Sequence, residues 1–416
     1  MNIYLEVYGC TANKSDASLI EGILKNKNHR IVTKVEESDF IIILTCTVID
    51  TTEQRMLSRI KKLKKYDKKM IITGCMASVQ KETVKKILPN AKFLKPQYSY
   101  KILDLIEDKK IDLIEKNKTL FPKHYNDIIA PISIAEGCNF SCTYCITTIA
   151  RGKLKSYPIN EIKKDMNFAI KKGCKEIQLT AQDTSSYGLD MEKNLGDLLR
   201  EIKNLKGEYK IRIGMMNPYT CQKNLDSIIQ SYNNPHIFKF IHLPVQSGDN
   251  EILRKMNRLY NTGNYKKIIQ KFRKKYPNIT LSTDIIVGFP GETEEQYNNS
   301  IKLIKNIKPD ITNITRFSAR PFTKAKKMKE RIKTETVKKR SKKMTDICKK
   351  ISKDNNLKFI GKEFKILVTK KGKNNTFIGR TNNYKPVVIK NNIKIGSFID
   401  VEIIKAEPNY IVGSIK

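Results

Sequence analysis

The chain is predicted to be α/β in three parts: an N-terminal parallel α/β domain, a partial (β/α)6 barrel, and a small C-terminal OB-like β-barrel. Strand-length apolar runs alternate with helical stretches twice, first over about the first 115 residues and again from Ala130. After Asn356 the texture changes to short strands broken by Gly, Asn and Pro. Six of the nine cysteines fall at or just beyond predicted strand ends.

In the first part, NIYLEVYG, DFIIILT and KMIITG read as strands, and Ser15–Lys25 and Glu53–Lys65 carry helical periodicity. Each strand runs into a cysteine: Cys10, Cys46 and Cys75. The C-terminal ends of parallel strands share one edge, where ligand sites form. Three thiols far apart in sequence are therefore expected to meet in space. Single cysteines are common in cores, but three at the same end of consecutive strands favour a metal site.

The second part holds six candidate strands: PISIAE, EIQLTAQD, KIRIGMM, FKFIHLPV, ITLSTDIIVGF and ITNITRF. Helical stretches such as Asn160–Lys172 and Thr262–Lys275 separate them, so working residues are expected at strand C-termini. Lys324–Asn355 is helical and heavily charged in pattern, and the tail suits a five-stranded barrel, an architecture that serves nucleic-acid and protein contacts alike. The predicted boundaries are 1–118, 119–355 and 356–416.

The net charge is +38. An AT-rich genome's taste for Lys, Ile and Asn accounts for part of it, and a polyanionic partner for the rest. Lys324–Lys358 carries 15 basic against 4 acidic residues, which concentrates the excess near the C-terminal part and supports the second reading. The longest apolar run, FIIILTCTVI, is shorter than the ~18 residues a bilayer needs. The N-terminus alternates and carries Glu6, so it reads as a strand rather than a signal peptide. A cytoplasmic protein without a membrane partner is expected, and clustered thiols there point to metal or redox chemistry.

In GCNFSCTYC, Cys138, Cys142 and Cys145 are spaced by three residues, then two. Structural zinc and iron–sulfur cubanes take four protein ligands. Three cysteines leave one metal position open, and the nearest histidine, His124, lies before the strand. This motif resembles that of the radical S-adenosylmethionine superfamily. The resemblance implies a [4Fe–4S] cluster whose open iron is chelated by S-adenosylmethionine, with Tyr144 against the adenine.

Over the whole chain the order of parts resembles the methylthiotransferases. YGCTANKSD, TCTV and TGCMA are similar to that family's N-terminal motifs. LTAQDTSSYG, HLPVQSGDNEILRKMNR and TDIIVGFPGET are similar to its later ones, and the tail resembles the RNA-binding TRAM module. ARGKLKSYP resembles the archaeal and eukaryotic branch acting on threonylcarbamoyladenosine in transfer RNA. This second resemblance implies another [4Fe–4S] cluster, on Cys10, Cys46 and Cys75, and two S-adenosylmethionine molecules per turnover. The partners it implies are a low-potential electron donor and a transfer RNA carrying threonylcarbamoyladenosine, with the enzyme a monomer.

Gln182, Asp183, Gln246 and Ser247 are candidates to hold the cofactor; Arg151 and Asp284 are weaker ones. Cys174, Cys221 and Cys348 read as structural, and His242 as packing beside the fourth strand's end. Two alternatives stay open: the same chemistry on a ribosomal protein side chain, and a non-catalytic RNA-binding protein with structural metal. One departure stands out. Phe322 in ARPFTKA occupies the place of the family's glycine, so a glycine-specific turn is not expected there.

Overall fold

The computed structural model describes every residue except Leu113, Glu115, Asn126 and Lys416. In the N-terminal part, β1 (Asn2–Val7), α1 (Thr11–Asn26), β2 (Arg30–Val32), β3 (Phe40–Thr45), α2 (Asp50–Lys64), β4 (Lys69–Gly74), α3 (Cys75–Val79) and β5 (Lys92–Leu94) occur in that order. The sheet is wholly parallel, in the order β2-β1-β3-β4-β5. Its central strand, FIIILT, is buried along its length, as a strand covered on both faces must be. The two edge strands, three residues each, are too short and too polar to announce themselves in sequence.

Six further parallel strands come next: β6 (Ile129–Ser133), β7 (Glu176–Thr180), β8 (Lys210–Ile213), β9 (Phe240–His242), β10 (Thr280–Val287) and β11 (Ile311–Arg316). They form two three-stranded ladders in sequence order. Parallel bridges Ile211–Ile237 and Met215–His242 join β8 to β9. The result is an open arc of six strands, the expected partial barrel. The short α4 (Thr147–Arg151) lies against α3 of the N-terminal part, while helices including α5 (Ile159–Lys171), α6 (Thr262–Lys275) and α7 (Glu294–Ile307) cover the outside of the arc. Both α6 and α7 begin with a reciprocal side-chain cap, at Asn261 and Thr293. The last strand, β11, has no buried residue and forms the open edge of the arc.

The charged stretch after Lys324 is less helical than its periodicity predicts. Lys324–Lys327 makes a single 3-10 turn, and the long helix α8 starts only at Thr334 and runs to Leu357. Beyond it, β12 (Glu363–Lys371), β13 (Phe377–Arg380), β14 (Pro386–Ile389), β15 (Phe398–Ala406) and β16 (Ile411–Ile415) close into a barrel in the order β12-β13-β14-β16-β15. The barrel has its own apolar core around Ile366, Val387, Val401 and Ile411. It sits against the starts of the arc's strands. Tyr384 Oη donates to Glu176 Oε1 at 2.7 Å, and Lys385 Nζ pairs with Asp310 Oδ1 at 2.6 Å. No helix among the described residues is long and apolar enough to cross a membrane.

Candidate metal and cofactor site

The N-terminal triad is assembled by the sheet. Cys10 stands at the N-cap of α1, Cys46 directly follows β3, and Cys75 opens α3 after β4. Gly9, at φ +99°, lets the first loop reach the second: a Cβ there would come 2.8 Å from Cys46 Cβ and 3.3 Å from its Sγ. Asn13, one turn into α1, donates from Nδ2 to Tyr8 O and to Thr45 O, at 2.6 and 2.9 Å, tying the Cys10 loop to the end of β3. All three thiols are near enough to influence one another electrostatically. Burial pushes the Cys75 thiol up to about 11 and raises that of Cys46, while the backbone N–H groups of Val48 and Thr47 favour the Cys46 thiolate.

The second triad lies beyond β6. Gly137, at φ +74°, passes so close to the bend that follows α4 (Thr147–Arg151) that a Cβ would fall 1.9 Å from Lys153 O. This tight passage delivers Cys138 to the rim. Cys138, Cys142 and Cys145 are half-buried and mutually coupled, and burial pushes the Cys138 thiol up to about 12. Arg258 donates from Nη1 to Cys142 Sγ at 3.3 Å. All nine cysteines are free thiols. Among the described residues, no three Cys, His, Asp or Glu side chains are drawn together to the spacing of a single metal ion.

The two triads are neighbours. Helix α4 starts two residues after Cys145 and packs on α3, so that Cys75, Val79, Ile146 and Ala150 share one apolar cluster. Arg151, at the end of α4, is 1 % exposed and crosses the seam. Its Nη1 donates to Glu136 Oε1 at 2.5 Å, and its Nη2 donates to Asn13 Oδ1 at 2.6 Å and Asp16 Oδ2 at 2.9 Å. Lys118 Nζ completes the set at 2.7 Å from both Asp16 and Glu136. Two buried cations and two buried carboxylates thus balance, as burial of charge requires. Among the described residues Arg151 Nε has no hydrogen-bond partner, and its guanidinium is the positive charge beside Cys75 and Cys10.

A cavity of about 290 Å³ opens between Cys145 of the second triad and the loop that follows Cys46. Val48 and Ile49 line it from the Cys46 loop, Tyr144 and Cys145 from the second triad, and Gln246 and Asp284 from the ends of the arc's strands. Asp284 Oδ1 accepts from Asn313 Nδ2 at 2.8 Å and lies 2.9 Å from His242 Nε2. His242 therefore faces the cavity rather than merely packing at a strand end. Tyr144 meets Phe289 edge-on at 6.5 Å between ring centres.

The other expected cofactor contacts divide. Gln182 keeps a buried Oε1 with no partner, a group that calls for a ligand or water. Asp183 is instead saturated by protein donors: Ser185 N and Oγ, Asn217 N and Thr220 Oγ1, at 2.7–3.0 Å. Its carboxylate holds the loop. Ser247 is fully buried, accepting from Asp249 N at 3.2 Å and facing Ser300 of α7, so its side chain is away from the cavity. The turn at Phe322 is present after all, with the phenylalanine itself at φ +63°. Arg258, Asn13 and Asp16 are functional-site residues that spacing did not single out. Asn13 and Asp16 do fall three and six residues after Cys10, on the side of α1 that carries the motif.

Comparisons with known proteins match three successive stretches of the chain. The Radical SAM superfamily matches residues 132–304, Uncharacterized protein family UPF0004 residues 2–95, and the TRAM domain residues 357–416. A "probable threonylcarbamoyladenosine tRNA methylthiotransferase" of Archaeoglobus fulgidus is 38% identical over 100% of this chain and 99% of its own length. One of Pyrococcus horikoshii is 39% identical over the same shares. A tRNA-2-methylthio-N(6)-dimethylallyladenosine synthase of Dictyoglomus thermophilum is 34% identical over 97% of this chain and 96% of its own. Among solved structures, the radical S-adenosylmethionine methyltransferase TsrM of Kitasatospora setae, with cobalamin and a [4Fe-4S] cluster bound, shares the fold at TM-score 0.56 and 12% identity, over 78% of this chain and 76% of that one.

Proposed function

Since the chain belongs to the radical S-adenosylmethionine tRNA methylthiotransferase family, on its archaeal threonylcarbamoyladenosine branch, we propose that it adds a methylthio group to C2 of N6-threonylcarbamoyladenosine at position 37 of transfer RNA. One observation carries the reading: Cys145 of one triad and Val48 and Ile49, just after Cys46 of the other, line a single cavity, and Cys75 packs with Ile146 beside it. Cys138, Cys142 and Cys145 would hold one [4Fe–4S] cluster and Cys10, Cys46 and Cys75 the other. The donor chemistry fits, since each set offers three thiols and lacks a fourth. When bound, the clusters and S-adenosylmethionine supply the radical, the sulfur and the methyl group that an unactivated C2–H needs, two S-adenosylmethionine molecules per product.

The chain's own residues bind and orient. Tyr144 offers its ring, Gln246 a side-chain amide and Gln182 an unpartnered carbonyl to the S-adenosylmethionine. The Asp284–His242–Asn313 set presents polar atoms on the arc side of the cavity. Val48, Ile286 and Phe317 provide apolar walls that keep water from the reacting base. The target adenosine must leave its stack to enter, which an anticodon loop permits. A low-potential electron donor completes the cycle, and a cytoplasmic monomer is the form in which we expect the enzyme to work.

Iron and sulfide analysis after anaerobic purification tests the two-cluster assignment. The expected result is about eight irons per wild-type chain and about four in Cys10→Ala. Equal content in both would remove the N-terminal cluster. For the substrate, RNA mass spectrometry of a deletion strain should show threonylcarbamoyladenosine without its methylthio group. Retention of that group would point to the ribosomal-protein alternative.

A further inference from the structure

The turn from Arg320 to Thr323 keeps the shape of a glycine turn although its third residue is phenylalanine. Phe322 adopts φ +63°, a left-handed conformation that a side chain with a Cβ disfavours. The Thr323 N–H and hydroxyl both close on Arg320 O, at 3.4 and 2.7 Å. The ring is 73 % exposed, so packing does not offset the strained backbone. Backbone strain of this kind persists where the surroundings over-determine it and clusters at ligand sites.

The turn is held at both ends. On one side the buried Arg320 donates from Nη2 to Thr47 Oγ1 at 3.0 Å and to Glu53, and Thr47 is the residue after Cys46. On the other, Ala325 N–H donates to Thr143 O at 2.8 Å, and Thr143 lies between Cys142 and Cys145. Ser318, just upstream, lines the cavity beside Cys145. The exposed ring thus stands on a turn that bridges the loops of both triads. Beside it, Lys324, Lys326, Lys327 and Lys329 are exposed. An aromatic ring among cations is the surface that single-stranded nucleic acid uses: the cations meet phosphates and the ring meets the face of a base.

Resting on the transfer-RNA reading, we propose that Phe322 is a stacking platform for an unpaired loop nucleobase, fixing the RNA strand while the target adenosine is inside the cavity. The base next to the extruded one loses a stacking partner, and the ring replaces it. Any base fits, because each has a π-face, so the contact adds affinity and register without sequence choice.

The chain contains no tryptophan, so Phe322→Trp introduces a sole tryptophan at the turn, excited selectively where the 18 tyrosines do not absorb. The probe is an anticodon stem-loop oligoribonucleotide added to the full-length protein. The expected result is saturable quenching of that emission, with RNA affinity close to wild type. Phe322→Gly is expected to weaken stem-loop binding at least about fivefold while raising the thermal midpoint of the free protein, because it relieves the left-handed strain. Opposite movements of affinity and stability are the signature, since a purely structural role would move only stability. Full RNA affinity in Phe322→Gly, or binding to the tryptophan variant without an emission change, overturns the assignment. Failure of the wild type to bind the stem-loop would instead overturn the transfer-RNA reading, and this contact with it.

Discussion

Arg258 donates from Nε to Tyr260 Oη at 3.0 Å, from Nη2 to Asn217 Oδ1 at 3.2 Å and from Nη1 to Cys142 Sγ at 3.3 Å. No carboxylate among the described residues pairs with it, whereas Arg151 at the other triad has Asp16 and Glu136. A largely enclosed cation without an anion is costly, and a thiolate-bound cluster at the second triad is the counter-charge that would settle it. A donated N–H and a positive charge favour the more reduced, more negative state of such a cluster. Arg258→Gln is therefore expected to make that centre harder to reduce. A hydrogen bond to a charged group contributes about 1.5–3 kcal/mol, which corresponds to a fall of roughly tenfold or more in the reduced-to-oxidised ratio at fixed poise. Electron paramagnetic resonance in a Cys10→Ala background, where on the two-cluster reading only this centre remains, measures it. An unchanged ratio with iron retained would leave the guanidinium a packing role.

At the scale of elements, the loop between β10 and α7 is fastened to α8 through one carboxyl. Glu292 Oε2 accepts from Gly288 N at 2.9 Å, and Arg340 Nη1 reaches Glu292 O and Oε2 at 3.0 and 3.1 Å. Burial pushes this carboxyl from 4.5 up to about 7, although the Gly288 N–H and the Arg340 guanidinium both favour the anion. Between those two values the folded chain holds a proton that the unfolded chain has released. Stability should accordingly fall as pH rises through that window, by at most about 1.4 kcal/mol per pH unit. Glu292→Gln should flatten the slope, as read from unfolding midpoints of the free protein between pH 4.5 and 7. The same slope in the variant would assign it to another group.

Sequence periodicity found the elements whose own burial writes a pattern: FIIILT, the six strands of the arc, and α6 over Thr262–Lys275. It missed β2 and β5, which exist through pairing with β1 and β4 and bury little themselves. It extended α8 too far back, because charged residues are good helix formers wherever they stand, while the stretch before Thr334 is fixed by contacts at the cavity rim. The cysteines were legible because three ligands at one spacing are a chemical statement. Asp183 and Ser247, whose side chains bond to protein groups nearby, show the converse: a polar residue at a strand end looks the same in sequence whether it turns to a ligand or to its own loop.

Across the whole molecule, the small barrel and the thiol triads occupy opposite rims. Asn382, Tyr384 and Lys385 contact Lys210, Glu176 and Asp310 at or just before strand starts, whereas both triads lie past strand ends. The six residues of β11 separate the rims, a span of about 20 Å at ~3.3 Å per residue. An A-form RNA stem rises less per pair than the ~3.4 Å of B-form DNA, so that span exceeds roughly six stacked base pairs. On the transfer-RNA reading the protein acts as a caliper: one jaw would receive the flipped adenosine, and the other would meet the stem only if the stem is long enough. Stem-loops trimmed pair by pair should lose affinity abruptly once the helix no longer reaches the far jaw, and a gradual decline from the first pair onward would show that both jaws close on the loop.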